Sequence, residues 1–155
     1  MEIYLVRHGE TDWNSVHRLQ GQSDVELNEK GRELAGITGR ALEDTEFDVI
    51  YSSPLMRAFE TANLIRGHRN IQIIRDDRLK ELCFGDYEGG IVPELMANEA
   101  DPFHYFFSAP EKYRAPKGGE SLEALCARTA AFMKETFEAH EKEYKRVMIV
   151  AHAAC

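Results

Sequence analysis

The chain has 155 residues, 19 of them Lys or Arg and 27 Asp or Glu, which gives a formal net charge of −8. That length suits one domain, and a composition 43% hydrophobic and 30% charged excludes global disorder. The acidic balance argues against a protein that grips nucleic acid or an anionic membrane, and no run of about 18 apolar residues offers a transmembrane helix.

The chain opens on a short apolar run, Ile3 to Val6, with no basic region before it, so a secretory signal is not expected. The run stops at Arg7-His8-Gly9-Glu10. Phe47 to Tyr51 and Val147 to Ala151 are similar, and Ile71 to Ile74 is a fourth strand candidate nearer a sheet edge. Short runs that are apolar on both faces read as central strands covered on both sides. Helices are expected between them. Asn28 is placed to cap one whose inner face would be Leu34, Ala35, Thr38, Ala41 and Leu42. Ser53 is placed to cap a second, with Pro54 at its first position and Ala58, Thr61, Ala62 and Ile65 inward. Ser121 would cap a long third with Leu122, Leu125, Cys126, Thr129, Phe132, Met133 and Phe137 inward.

Between them, residues 84–119 are rich in Gly and Pro but also in Phe and Tyr, which marks an excursion with short helices rather than a linker. Its rings would either cover a pocket or anchor the excursion to the body. Cys83, Cys126 and Cys155 are too few and too scattered for a disulfide framework. They point to reduced thiols, a cytoplasmic setting and use as small buried hydrophobes. Strands alternating with helices predict an α/β fold with a largely parallel sheet, in a single domain over 1–155.

In open parallel sheets the loops at the carboxyl ends of the strands line the ligand site. Arg7 and His8, Arg57, and His152 all follow strand ends, so positive and titratable groups would converge in an otherwise acidic protein. That is the pattern for a small anionic ligand. The chemistry that uses such a set is phosphoryl transfer through a histidine. A neutral imidazole attacks phosphorus, guanidiniums hold the equatorial oxygens, and a second, protonated histidine adds charge stabilisation. A carboxylic acid must then protonate the leaving alkoxide. Glu81 is the candidate, although pattern alone leaves it one of 27 acidic residues. No metal-ligand spacing is present, so no metal and no cofactor are expected.

Arg7-His8-Gly9-Glu10-Thr11 with Trp13-Asn14 resembles the signature of the histidine phosphatase superfamily, also called the phosphoglycerate mutase-like family. The resemblance continues, in family order, through Leu19-Gln20-Gly21, Asp24, Leu27 to Gly31, Ser52 to Ala58 and Thr61-Ala62. It ends through Leu79 to Glu81, Phe84 to Gly89, Gly118 to Ser121 and Val150 to His152. It implies a three-layer sandwich with helices on both faces of the sheet. It also implies His8 as the phosphorylated nucleophile, Glu81 as acid and then base, and Arg7, Asn14, Arg57 and His152 as the phosphate clamp. Gln20 and Gly21 would line the substrate site. Asn14 could instead only stabilise its loop, and Gly21 only permit a turn.

Within the family, Leu19 to Asp24 and Phe84 to Gly89 look like the phosphatase versions of those blocks. The mutase branch carries adjacent arginines in the excursion, where this chain has only Lys112, Arg114 and Lys117. The resemblance therefore implies a metal-independent phosphomonoesterase for a small phosphorylated metabolite, similar to bacterial broad-specificity or α-ribazole-phosphate phosphatases. A cofactor-dependent phosphoglycerate mutase and a non-catalytic phosphate-binding module are the alternatives. Relatives carry Gly where this chain has Ala153, and they continue through a further helix where this chain stops three residues after His152. A chain truncated at Cys155 would expose apolar surface, lose stability and favour a homodimer.

Overall fold

The computed structural model describes residues 1–154. Four strands, β1 (Glu2–Arg7), β2 (Val49–Ser52), β3 (Ile73–Arg75) and β4 (Arg146–Ala151), form one parallel sheet in the order β1-β4-β2-β3. The helices are α1 (Asp12–Ser15), α2 (Glu29–Ala41), α3 (Met56–Arg66), α4 (Val92–Ala97) and α5 (Leu122–His140). Among the described residues no helix is long and apolar enough to cross a membrane.

Side chains alternate across β4 and so define the layers. Met148 and Val150 pack with Ile50, Phe47 and the inner face of α3, Ala58, Ala62 and Ile65. Val147, Ile149 and Ala151 face the other way, onto Tyr51, Leu79 and Phe132 of α5. Helix α2 lies against α3. The result is the expected three-layer α/β sandwich, with β4 at its centre.

The first strand departs from the sequence reading. Tyr4 and Val6 pack on the α3 side, but Ile3 and Leu5 are 45% and 70% exposed. The cause is position: β1 pairs only with β4, and the core on the other face is built from β2, β4 and α5. Ile3 to Val6 is therefore an edge strand with one open face, not a covered central one. The fourth run is an edge strand as expected, although it begins at Ile73.

The helix caps form largely as predicted. Asn28 accepts from Gly31 N and Ser121 from Ala124 N. The second helix begins later than predicted. Leu55 is its N-cap, Pro54 lies in the turn before it, and Ser53 Oγ accepts from Leu55 N instead. Its buried face is the predicted one, with Arg57 added. In α2 only Gly31 and Ala35 are buried, whereas Leu34 and Ala41 are exposed. In α5 Leu125, Phe132 and Thr136 are buried, while Cys126 and Met133 face out. Cys126 is thus not a buried hydrophobe, Cys83 is half-buried, and Cys155 lies outside the described residues.

The excursion is anchored rather than draped. Phe84, Phe103, Tyr113, Leu19, Leu82 and Leu125 form a third core, with Phe103 fully buried and its ring stacked on Phe106. Only Phe107 of these rings is exposed.

Candidate active site

Parallel pairing sets the site. Beyond the last ladder pairs, Arg7 with Ala151 and Ser52 with Val150, His8 N donates to Ala151 O at 3.0 Å and Ser53 N to Val150 O at 3.0 Å. The ladder thus runs one residue past each strand, and His8, His152 and Ser53 emerge side by side at the carboxyl edge. The two imidazole centroids are 5.1 Å apart, and His152 Nε2 shares a 2.8 Å hydrogen bond with Ser53 Oγ.

His8 is 8% exposed, and its Nδ1 lies 2.7 Å from the carbonyl oxygen of Gly9. A carbonyl can only accept, so the proton sits on Nδ1 and Nε2 carries a lone pair. Arg57 Nε donates to that lone pair at 3.3 Å. Burial, with the Arg57 and Arg7 charges beside it, pushes His8 down to about 4, so the imidazole is neutral near pH 7.

Arg57, in the first turn of α3, has no solvent exposure. Its Nη1 donates to Ser23 O at 2.9 Å and its Nη2 to Gly21 O at 2.7 Å. Thr61 one turn on binds both sides of this arrangement, accepting from Gly9 N at 2.9 Å and donating to Arg57 O at 2.6 Å. The first amide of α3 is occupied, since Met56 N donates to Asp24 at 2.7 Å. Arg7 is exposed and its side chain has no hydrogen bond or ion pair among the described residues, yet its charge depresses both histidines.

Glu81 is 9% exposed. Burial raises its pKa against the opposing pull of Arg57 and of backbone amides from Leu82, Ala154 and Ala153. The segment after His152 therefore touches the carboxyl directly. Its own carbonyl is held by Gln22 Nε2 at 3.0 Å and Arg128 Nη2 at 3.1 Å, and Arg128 is paired with Glu120.

The sequence reading has His152 protonated where charge develops in the transition state; the site without an anion is a different state. Burial first, then the Arg57 and His8 charges, push His152 down to about 2, so without an anion in the site it is neutral, with Nδ1 buried and unpaired. Asn14 spends its amide oxygen in a capping box with Thr11 N and Oγ at 3.0 Å each. Gln20 is buried with its amide oxygen unpartnered. No contact ties either amide to the histidines. Gly21 makes the turn that the sequence reading gives as its alternative role. It has a φ of +52° and a carbonyl on Arg57, and a Cβ there would lie 2.2 Å from Glu88 Oε1.

Sequence reasoning overlooked Ser53, Thr61, Gln22 and Glu88 as members of this network. Thr61 and Glu88 stand in the resemblance blocks, but their roles depend on contacts 52 and 65 residues away along the chain. Among the described residues no group of three or more His, Cys, Asp or Glu is placed to hold a metal ion.

Comparison with known proteins agrees with this geometry. A family profile described as "Histidine phosphatase superfamily (branch 1)" matches residues 3–155. Phosphoserine phosphatase 1 of Hydrogenobacter thermophilus is 36% identical over 98% of this chain and 71% of its own length. The metal-independent phosphoserine phosphatase of Arabidopsis thaliana is 37% identical over 97% of this chain, which spans 63% of that protein. Among solved structures, YhfR of Bacillus stearothermophilus superposes with a TM-score of 0.89 at 39% identity, over 98% of this chain and 74% of its own. The chain belongs to branch 1 of the histidine phosphatase superfamily, whose members similar to it are named phosphatases and, in other cases, phosphoglycerate mutases, such as that of Cytophaga hutchinsonii at 33% identity over 97% of this chain and 71% of its own length.

Proposed function

We propose that this chain hydrolyses small phosphomonoesters, without a metal, through a phosphohistidine formed on His8. The observation that carries the reading is the fixed tautomer. Gly9 O holds the proton on Nδ1, so the Nε2 lone pair faces the Arg57 guanidinium, with His152 beside it. In the first step Nε2 attacks phosphorus, the bond to the ester oxygen breaks, and Glu81 gives its proton to the leaving alkoxide. In the second step water attacks the phosphoryl group, the Glu81 carboxylate takes a proton from that water, and the nitrogen–phosphorus bond breaks to release phosphate. Arg57 and Arg7 supply the cationic field for the equatorial oxygens, and Asn14 offers its remaining amide donor. A bound dianion would offset the charges that keep His152 neutral, so its proton arrives with the substrate.

Water is the favoured acceptor. Arg114 is turned onto Glu111 O and Tyr113 O, and Lys112 sits over the Tyr105 ring, so neither is aimed at the histidines to hold a second phosphate. The names of the two relatives make phosphoserine the first ester to assay. The test is hydrolysis of p-nitrophenyl phosphate in EDTA, with rapid acid-free quenching and intact mass measurement. The expected result is turnover with a transient mass gain of one phosphoryl group, both lost in His8→Ala. Activity that needs an added divalent metal, or that survives in His8→Ala, overturns the reading.

A further inference from the structure

Glu88 lies outside the histidine cluster but is bonded to the loop whose carbonyls hold Arg57. Its carboxylate accepts from Gln22 N at 2.9 Å and Phe84 N at 3.1 Å through Oε1. Through Oε2 it accepts from Ser23 N at 2.8 Å and Ser23 Oγ at 2.6 Å. The two loop amides it grips lie between the two carbonyls, Gly21 O and Ser23 O, that receive the Arg57 guanidinium. The Phe84 amide joins the same carboxylate to the strand of chain that carries Glu81. One side chain therefore ties the loop around Arg57 to the segment around the acid. Its field also acts on Arg57 directly, together with those of Glu81 and Asp24.

This arrangement asks for a carboxylate. All four donors converge on two acceptor oxygens, and an amide would turn an N–H₂ toward N–H donors on one side. Gly21 leaves the room, since a Cβ there would collide with Glu88 Oε1. Loop carbonyls set two of the guanidinium's directions and so its plane. That plane decides where its remaining N–H groups aim, and a bidentate phosphate contact depends on that aim.

We infer that Glu88 is a positioning residue for phosphate recognition, acting through the Gly21 and Ser23 carbonyls on Arg57. The inference rests on the proposed phosphate site, and the test separates the two. Binding of inorganic phosphate, or of orthovanadate where phosphate is weak, is measured by calorimetry on the wild-type chain, Glu88→Gln, Arg57→Lys and the double variant. Circular dichroism confirms folding of each. Glu88→Gln is expected to weaken phosphate about tenfold, the size of one charge-assisted hydrogen bond misaligned. Added to Arg57→Lys it is expected to cost little more, because the path runs through Arg57. Should Glu88→Gln fail to fold, Ser23→Ala replaces it, with a loss of about threefold expected from the missing hydroxyl bond. A folded Glu88→Gln or Ser23→Ala that binds phosphate like the wild type overturns the inference. So do losses that multiply fully with Arg57→Lys, since a merely structural role would add independently. Failure of the wild-type chain to bind either anion overturns the phosphate-site reading first, and this inference with it.

Discussion

Burial acts on His8 and Glu81 in opposite senses, and that opposition sets the working range of the site. Burial and the adjacent guanidiniums push the histidine down to about 4, while burial pushes the carboxyl of Glu81 up. In the proposed reaction the working pair is a neutral imidazole and a protonated acid. It is therefore populated above about 4 and below the raised value of Glu81. The expected pH dependence of kcat/KM is a bell whose acid limb lies near 4 and whose alkaline limb lies at the raised value of Glu81. Below about 4 the rate falls because His8 gains a proton on Nε2. At higher pH it falls because Glu81 loses the proton it must donate. Glu81→Gln is expected to slow an alkyl phosphate by about 10²-fold or more and p-nitrophenyl phosphate far less, because nitrophenolate leaves without a proton. Equal losses on both substrates would make Glu81 a structural carboxyl. The sequence pointed to His8 and His152 by type and by place at strand ends, but to Glu81 chiefly through the resemblance, since pattern alone left it one of 27 acidic residues. It could not show the Gly9 carbonyl that chooses the tautomer. Nor could it show that His152 is neutral, because both depend on which groups are desolvated together.

Elements were legible in proportion to how much one local rule decides. Asn28 and Ser121 cap where their short side chains meet free amides, a contact of three residues' reach. Ser53-Pro54 satisfies the same rule but stops short. Ser53 stays fully buried against His152, leaving Leu55 to start α3. Coverage is harder, because a 3.6-residue period marks an apolar stripe without saying what lies over it. Leu34, Cys126 and Met133 follow their periods yet face out, and Ile3 and Leu5 lie on a bare strand face. The excursion is the clearest case. Its rings left two readings open, and the burial of Phe103 against Phe84, Tyr87 and Phe106 decides for an anchor. Phe103→Ala is expected to cost about 3–5 kcal/mol of stability, the range for truncating a buried Phe. Its third core also holds Leu82 and Phe84, next to Glu81 and on the Glu88 carboxylate. Activity at a temperature where the variant is still folded should therefore fall as well. Urea unfolding and activity measured on the same sample check both. A loss well under 1 kcal/mol would mean that the rings only drape the surface.

For the whole molecule, a net charge of −8 should repel the anionic ester that the site is built to receive. Distance decides between the two fields. Screening at about 0.1 M salt falls off within about 10 Å, so acidic groups spread over the surface are largely muted at the site. Arg57 is instead in hydrogen-bond contact with His8, and Arg7 stands exposed at the same edge with no side-chain partner among the described residues. Many of the acidic groups are also already engaged: Glu10 with Lys30, Glu26 and Glu60 with Arg32, Asp76 and Glu135 with Arg78, and Glu120 with Arg128. The local cations should dominate capture. Raising sodium chloride from low to about 0.3 M is then expected to lower kcat/KM for a dianionic ester by about threefold, through slower capture rather than slower chemistry. Arg7→Gln should lower kcat/KM at low salt and flatten the salt dependence, since it removes the exposed guanidinium while leaving Arg57 on its loop carbonyls. Steady-state rates at several ionic strengths and subsaturating substrate give both slopes. A wild-type kcat/KM that rises with salt would mean that the overall negative charge governs approach. The exposed Arg7 would then contribute only after the ester has arrived.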